Sequence, residues 1–429
     1  MAHTSARRVG RRAKAYVLLT MSAFAALFGL VLLVIALPLR ILSLRLYRRC
    51  STCILELVVP AFLLPATLSG LTIRVNDEHW RMVVAPRAWS LLTIIMCNHA
   101  SRIDWLIALW CGNVDVPVRV SFLTEGPMQF LPIVGWMRKL CEDIFLWRSF
   151  KVDKARIDAN IASFKATGTQ RALFLAIEGA IVDQGVFDQH YIRECNDFCA
   201  SLGYAPFNYV LTPRYKGIHS LAQHAGAELF SATCAFTRRG RMLNIQLTDP
   251  ERVVPDLFTI FADEVEVTCH FDRLLVSAEQ EQAKRQCMAN YKYRDEMLAC
   301  FHEHGRFPGG LTYRPLPTEL RKRAGCFAAM LACAGVLPAY AGWPLLLPKL
   351  LGGMLAVLAT CHALGELISG ESRESIPFET IFKSFFYAGR DAKLLQQQAG
   401  KKVDCELGAS EHIAETAHML SLMTKFPVN

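Results

Sequence analysis

The sequence predicts an α/β fold, a mostly parallel sheet flanked by helices, carried between membrane helices at the two ends of the chain. Three observations predict it. Between about residues 74 and 319, short apolar runs alternate with amphipathic stretches, the pattern of strands joined by crossover helices. The region from Tyr16 to Leu39 contains no charged residue and exceeds the ~20 apolar residues that cross a bilayer as a helix. A polar cluster, CNHASRIDWL (Cys97 to Leu106), follows directly on the apolar run LLTIIM, as when a buried strand delivers polar groups to a site.

Taken in chain order, residues 1–15 form a basic tail, MAHTSARRVGRRAK and the following Ala, which suits an anionic membrane surface as well as nucleic acid. The apolar run behind it favours the membrane, and no nucleic-acid partner is expected. A membrane anchor is expected over 16–75, with a span at 16–39. A signal peptide has the same basic start, but its apolar core is shorter and ends in small residues, whereas this run meets further basic residues at Arg40 and Arg45. A second run at 57–73 holds Pro60 and Pro65 and reads as a second span or a re-entrant segment.

Residues 76–320 are expected to form the globular domain. LLTIIM (Leu91 to Met96), ALFLAI (Ala172 to Ile177) and NYVLT (Asn208 to Thr212) read as buried strands. Asp153 to Phe164 and Ser277 to His302 read as helices. In such sheets ligands bind at the carboxyl ends of the strands, where the polar clusters fall. Residues 321–366, interrupted by Pro338, Pro344 and Pro348, read as a pair of membrane helices, and 367–429 as a polar tail.

Composition agrees with this layout. A 429-residue chain with 52% hydrophobic residues, 20% charged residues and a mean hydropathy of +0.25 is too apolar for an ordinary soluble enzyme and too long for a bare anchor. The formal charge is +9. Basic residues flank the first span on both sides, so orientation rests on the Arg321-Lys322-Arg323 cluster, which favours a cytosolic central domain. The 15 cysteines are odd in number and scattered through apolar runs, as in a reducing compartment. Cys50 and Cys53 have half of a zinc site's spacing, without a second pair nearby.

The candidate chemistry lies in His99 and Asp104. Their H-x4-D spacing does not stack both side chains on one straight helix face, but a turn between them brings the two together. A carboxylate on one ring nitrogen fixes the tautomer and leaves the other as a base that activates a hydroxyl. A surface loop with a capping Asp produces the same spacing, and the pair alone does not decide between them. No serine or cysteine nucleophile motif accompanies it.

Further blocks follow in order: GPMQFLPIVGWM, IFLWRSFKVDK, LFLAIEGA and YVLTPRYKG, and then AELFSATCAFT and YKYRDEMLACFHEHGRFPGG. This succession resembles the glycerolipid acyltransferase family, whose members acylate lysophosphatidic acid and other lysophospholipids, and within it the eukaryotic lysocardiolipin-like branch. The resemblance implies the family's α/β fold and an acyl-CoA-dependent enzyme of phospholipid synthesis, without a cofactor or metal, acyl-CoA entering as co-substrate. It implies His99 as general base and Asp104 as its orienting carboxylate. It also implies Arg148 on the acceptor phosphate, Glu178 and Gly179 in the acceptor site, and Pro213 and Arg214 from the fourth block as further substrate-binding residues. The expected acceptor is lysophosphatidic acid or another lysophospholipid such as lysocardiolipin or lysophosphatidylinositol, and the alternative from a different class is a catalytically silent membrane lipid-binding or scaffold protein, against which the intact His99 and Asp104 argue. The expected home is a membrane, entered by several passes, that of the endoplasmic reticulum first. Departures are Ile177 and Ala180 around the third block, where the family usually has Pro and Thr, and Glu125-Gly126 in the second, where it often has Lys.

Overall fold

The computed structural model describes residues 2–315 apart from 77–79, 81–91, 102, 115–118, 148, 182–188, 245, 248–259 and 262–263. The expected helix pair at 321–366, the tail at 367–429 and Arg148 lie outside the described residues.

Two long helices open the chain, α1 (Ala2–Ile35) and α3 (Leu44–Ser69), joined by the short α2 (Leu37–Leu42). Residues 13–35 and 44–69 are each long and apolar enough to cross a bilayer. The second helix is offset from the apolar run read in the sequence: it starts at Leu44, among polar residues, and the run's last residues enter a strand, β1 (Thr72–Asn76). Pro60 and Pro65 lie inside the helix without ending it.

The remaining strands are β2 (Leu92–Cys97), β3 (Arg119–Glu125), β4 (Ile144–Leu146), β5 (Arg171–Ala176), β6 (Ala227–Arg238), β7 (Arg241–Met242), β8 (Glu266–Leu274) and β9 (Tyr313–Pro315). They form one sheet in the order β4-β3-β5-β2-β6-β8-β1-β9, with β7 on β6. The pairs from β4 through β6 are parallel, β8 runs antiparallel to β6, and β1 runs parallel to β8. The intervening helices are α4 (Asp104–Val114), α5 (Val134–Leu140), α6 (Phe150–Ala166), α7 (Gln189–Ser201), α8 (Tyr215–Ala222) and α9 (Gln280–His304). The α/β class, with a mostly parallel sheet, is therefore the one the sequence predicts.

Alternation along β2 sets the layers, because successive strand side chains point to opposite faces. Ile95 and Cys97 join a core completed by Leu106, Ile107 and Trp110 of α4 and by Val59, Leu63 and Ala66 of α3. Leu92, Ile94 and Met96 face the other way, onto Ile157 and Ile161 of α6, Ile218 and Leu221 of α8, and Met288 and Tyr291 of α9.

Polar contacts fix α3 to the sheet unit at both ends. Near its amino end the Tyr47 hydroxyl donates to Leu140 O at 2.7 Å. Arg48 donates to Glu142 at 2.8 and 3.2 Å, and to Ser163 O at 2.7 Å. Arg171, at the start of β5, shares Glu142 at 3.2 Å. Arg119 and Arg171 are register partners, so this buried ionic cluster lies at the amino edge of the parallel strands. At the other end of α3 the Ser69 hydroxyl donates to Ile260 O. Tyr16, Val17, Met21 and Phe24 leave an apolar stripe exposed on α1.

One expected strand is absent. Asn208 to Thr212, buried from Tyr209 on, is irregular, because its N–H groups go to carboxylates rather than to a neighbouring strand: Asn208 and Tyr209 donate to Asp295, and Leu211 to Glu178.

Candidate active site

Asn98 determines where the chain leaves the sheet. Its fully buried side chain continues the pairing to β6, accepting from Cys234 N at 2.7 Å and donating to Cys234 O at 3.1 Å. The next residue, His99, therefore stands at the carboxyl edge, where its side chain keeps 28% exposure. A tight turn follows. Asp104 N donates to Ser101 O at 3.3 Å, and the Asp104 carboxylate opens α4 while accepting from Ser101 N at 3.2 Å. A carboxylate at a helix's first turn is favoured by the unpaired N–H groups there.

This turn brings His99 Nδ1 to 2.9 Å from Asp104 Oδ2. An ionised carboxylate only accepts, so Nδ1 donates, and in the neutral ring Nε2 keeps its lone pair. Asp104 is 3% exposed, which leaves the ring as the reachable member of the pair.

Glu178 is placed by strand register. Cys97 of β2 is opposite Ala176 of β5, so His99 and Glu178, each two residues further on, leave the sheet side by side. Glu178 Oε1 accepts the His99 backbone N–H at 2.9 Å, and Oε2 accepts the Leu211 N–H at 3.1 Å. The side chain is 0% exposed, and burial pushes its pKa up to about 7 against the pull of the two N–H donors. Both of its oxygens accept backbone N–H groups, so the carboxylate ties the loop that carries His99 to the 208–212 segment.

Gly179 has φ +76, the left-handed region that glycine enters without cost. A Cβ there would fall 2.0 Å from Arg214 Nε, so the arginine side chain lies directly over this glycine. Arg214 N donates to Ile177 O at 2.7 Å, which, with buried Pro213 before it, sets the fourth block against the third. The Arg214 side chain is exposed, and its guanidinium is 5.8 Å from the Tyr191 ring centre. Tyr191 in turn donates its hydroxyl to Glu178 O.

His99, Asp104, Glu178, Gly179, Pro213 and Arg214 thus form one contiguous set at the carboxyl edge. The Gly126 departure has a physical reason: a Cβ there would meet the Trp147 ring at 2.7 Å. The sequence reading missed Asn98 and Tyr191. Asn98 carried a signal, as an amide at the end of an apolar run, whereas Tyr191 carried none. Among the described residues no group of three or more His, Cys, Asp or Glu is placed to hold a metal ion.

The fold class is thus α/β, a mostly parallel sheet with a carboxylate-paired histidine at its carboxyl edge. Residues 90–235 match the acyltransferase domain family. The probable 1-acyl-sn-glycerol-3-phosphate acyltransferase 5 of Arabidopsis thaliana is 24% identical over 236 residues, covering 53% of this chain and 58% of that one. The 1-acyl-sn-glycerol-3-phosphate acyltransferase epsilon of Mus musculus is 23% identical over 231 residues, 50% of this chain and 61% of its own. Lysocardiolipin acyltransferase 1 of Mus musculus is 24% identical over 299 residues, 66% and 73% respectively. The chain thus spans about six-tenths of the length of the first two of these relatives. No solved structure matches it. Residues 90–235 thus match an acyltransferase domain, and the chain is similar, at 23–24% identity, to glycerolipid acyltransferases.

Proposed function

We propose that the protein transfers an acyl group from acyl-CoA to the free glycerol hydroxyl of lysophosphatidic acid, giving phosphatidic acid in phospholipid synthesis. The observation that carries this reading is the 2.9 Å contact from His99 Nδ1 to Asp104, which leaves Nε2 at the open carboxyl edge as a base. Nε2 takes the hydroxyl proton as the oxygen attacks the thioester carbonyl. The new ester C–O bond forms, the C–S bond breaks, and the coenzyme A thiolate leaves with the proton returned by the imidazolium. Asp104 stabilises that imidazolium. Arg214, and Arg148 from the resemblance, supply guanidinium groups suited to paired hydrogen bonds with the acceptor phosphate.

A second acceptor, another lysophospholipid such as lysocardiolipin, is favoured by one observation: the lysocardiolipin acyltransferase covers more of this chain than the two lysophosphatidate enzymes do. The exposed apolar stripe of α1 would meet lipid, in the endoplasmic reticulum, with the site on the cytosolic side.

One assay tests all of this: sealed microsomes containing the protein, a panel of lysolipids, and acyl-CoA, which does not cross the bilayer. The expected result is acylation of lysophosphatidic acid without detergent, and a loss of at least ~10²-fold in His99→Ala. Activity that persists in His99→Ala overturns the mechanism. A different preferred lysolipid overturns the acceptor, and activity that appears only after detergent overturns the orientation.

A further inference from the structure

The chemistry above makes no use of α9, yet its YKYRDEM segment sends two adjacent ionic side chains into the protein. Arg294 is 0% exposed and Asp295 8%. Arg294 crosses from β2 to β6: its Nη2 donates to Met96 O at 2.7 Å and to Ser231 Oγ at 2.8 Å, and its Nε to Ser231 Oγ at 3.0 Å. Met96 and Ser231 are register partners, and Met96 lies three residues before His99. Asp295 holds the other side of the site. Its carboxylate accepts N–H groups from Asn208 at 2.9 and 3.0 Å and from Tyr209 at 2.6 Å. That segment then gives the Leu211 N–H to Glu178 and ends at Arg214 over Gly179.

Burying a guanidinium costs several kcal/mol, and an apolar side chain of similar volume often stabilises a core as well or better. Here the cost is not fully offset, since Arg294 Nη1 has no hydrogen-bond partner among the described residues. The strands that Arg294 joins are already paired over Leu92–Cys97. What the arginine adds is a fixed position for the carbonyl that precedes the base.

We propose that Arg294 and Asp295 are positioning residues with separate tasks: Arg294 holds the end of β2 that carries His99, and Asp295 holds the 208–212 segment that carries Arg214. Neither touches substrate. The division of labour follows from the partners, and it rests on the acyl-transfer reading only for its kinetic consequences.

The test uses the full-length protein in microsomes, with Arg294→Met, Arg294→Lys and Asp295→Asn. The first readout needs no activity. In Arg294→Met, amide hydrogen exchange should accelerate at residues 97–101 and stay unchanged at 208–211, and in Asp295→Asn the reverse should hold. The second readout is kinetic, with lysophosphatidic acid and acyl-CoA. Arg294→Met should lower kcat by about tenfold to a hundredfold, as misplacement of a catalytic group does, with both KM values nearly kept. Arg294→Lys should recover part of that loss. Asp295→Asn should raise KM for the lysolipid by about tenfold, with kcat nearly kept. Exchange that rises equally at both segments in each variant, or losses shared equally between kcat and KM, would overturn the assignment. Should Arg294→Met fail to fold, Ser231→Ala removes the same anchor in a milder form, and unchanged exchange at 97–101 in that variant also overturns it. A wild-type protein without acyl transfer would sink the proposed function, and the exchange measurement would still judge the two tasks.

Discussion

Glu178 and His99 leave neighbouring strands at the same level, and the Glu178 carboxylate accepts the histidine's backbone N–H at 2.9 Å. His99 therefore rests on a buried carboxyl whose pKa burial has pushed from 4.5 to about 7. Two consequences follow, one for stability and one for turnover.

A carboxyl with a raised native pKa binds its proton more tightly folded than unfolded, so its contribution to stability is complete below about pH 4.5. That contribution is lost as pH rises to about 7, by roughly 3 kcal/mol at about 1.4 kcal/mol per pKa unit, and stays constant above. Glu178→Gln removes this fall. Thermal unfolding between pH 4.5 and 8 should show a decline in the wild type that the variant lacks, and identical slopes would refute the buried ionisation. Above pH 7 the variant should also be the slower enzyme. A glutamine oxygen accepts only one of the two N–H groups, and its NH2 opposes the other, a loss of about 1 to 3 kcal/mol for an unsatisfied buried donor.

How much of this was legible in the sequence depended on distance along the chain. His99 and Asp104 are five residues apart, so a turn argument sufficed to pair them. The strands at Leu92–Cys97 and Arg171–Ala176 were legible as apolar runs, and with them the sheet and its carboxyl edge. The backbone partners of Glu178 were not legible, because they lie 79 and 33 residues away. The same limit explains Asn208 to Thr212. Its apolar character was read as a strand, while Asp295, 87 residues on, takes the N–H groups a strand would have used. Arg294 meets Met96 across 198 residues, a contact no local pattern encodes.

Glu142, at the opposite edge of the sheet, has the reverse pH behaviour. Burial alone would raise its pKa, but the Arg48 hydrogen bond and charge, with Arg171 and Arg119, outweigh burial and hold it below 4.5. Its contribution to stability is present above about pH 4.5 and is lost as pH falls through the lower native value. Glu142→Gln should cost about 3 to 5 kcal/mol at pH 7, because it leaves buried guanidinium groups without their anion. The gap in unfolding temperature from wild type should narrow on acidification, and the folded fraction should keep its specific activity, since the cluster lies away from His99. A gap that does not change with pH would show that Glu142 acts by packing alone.

The close approach of Gly179 and Arg214 makes the acceptor question testable through a residue that carries no charge. Alanine at 179 is strained at φ +76, by about 1 to 2 kcal/mol for the left-handed region. Its Cβ also falls where Arg214 Nε stands, 2.0 Å away, so the guanidinium must move. If Arg214 meets the acceptor phosphate, Gly179→Ala and Arg214→Ala should each raise KM for lysophosphatidic acid by about tenfold, the worth of a charge-assisted contact. The double variant should be no worse in KM than Arg214→Ala alone, because the first change acts by displacing the side chain that the second removes. With monoacylglycerol, which has no phosphate for Arg214 to meet, neither change should alter KM. Additive losses in the double variant would give Gly179 a contact of its own, and an equal loss with monoacylglycerol would remove Arg214 from the phosphate and assign it to the donor side of the site.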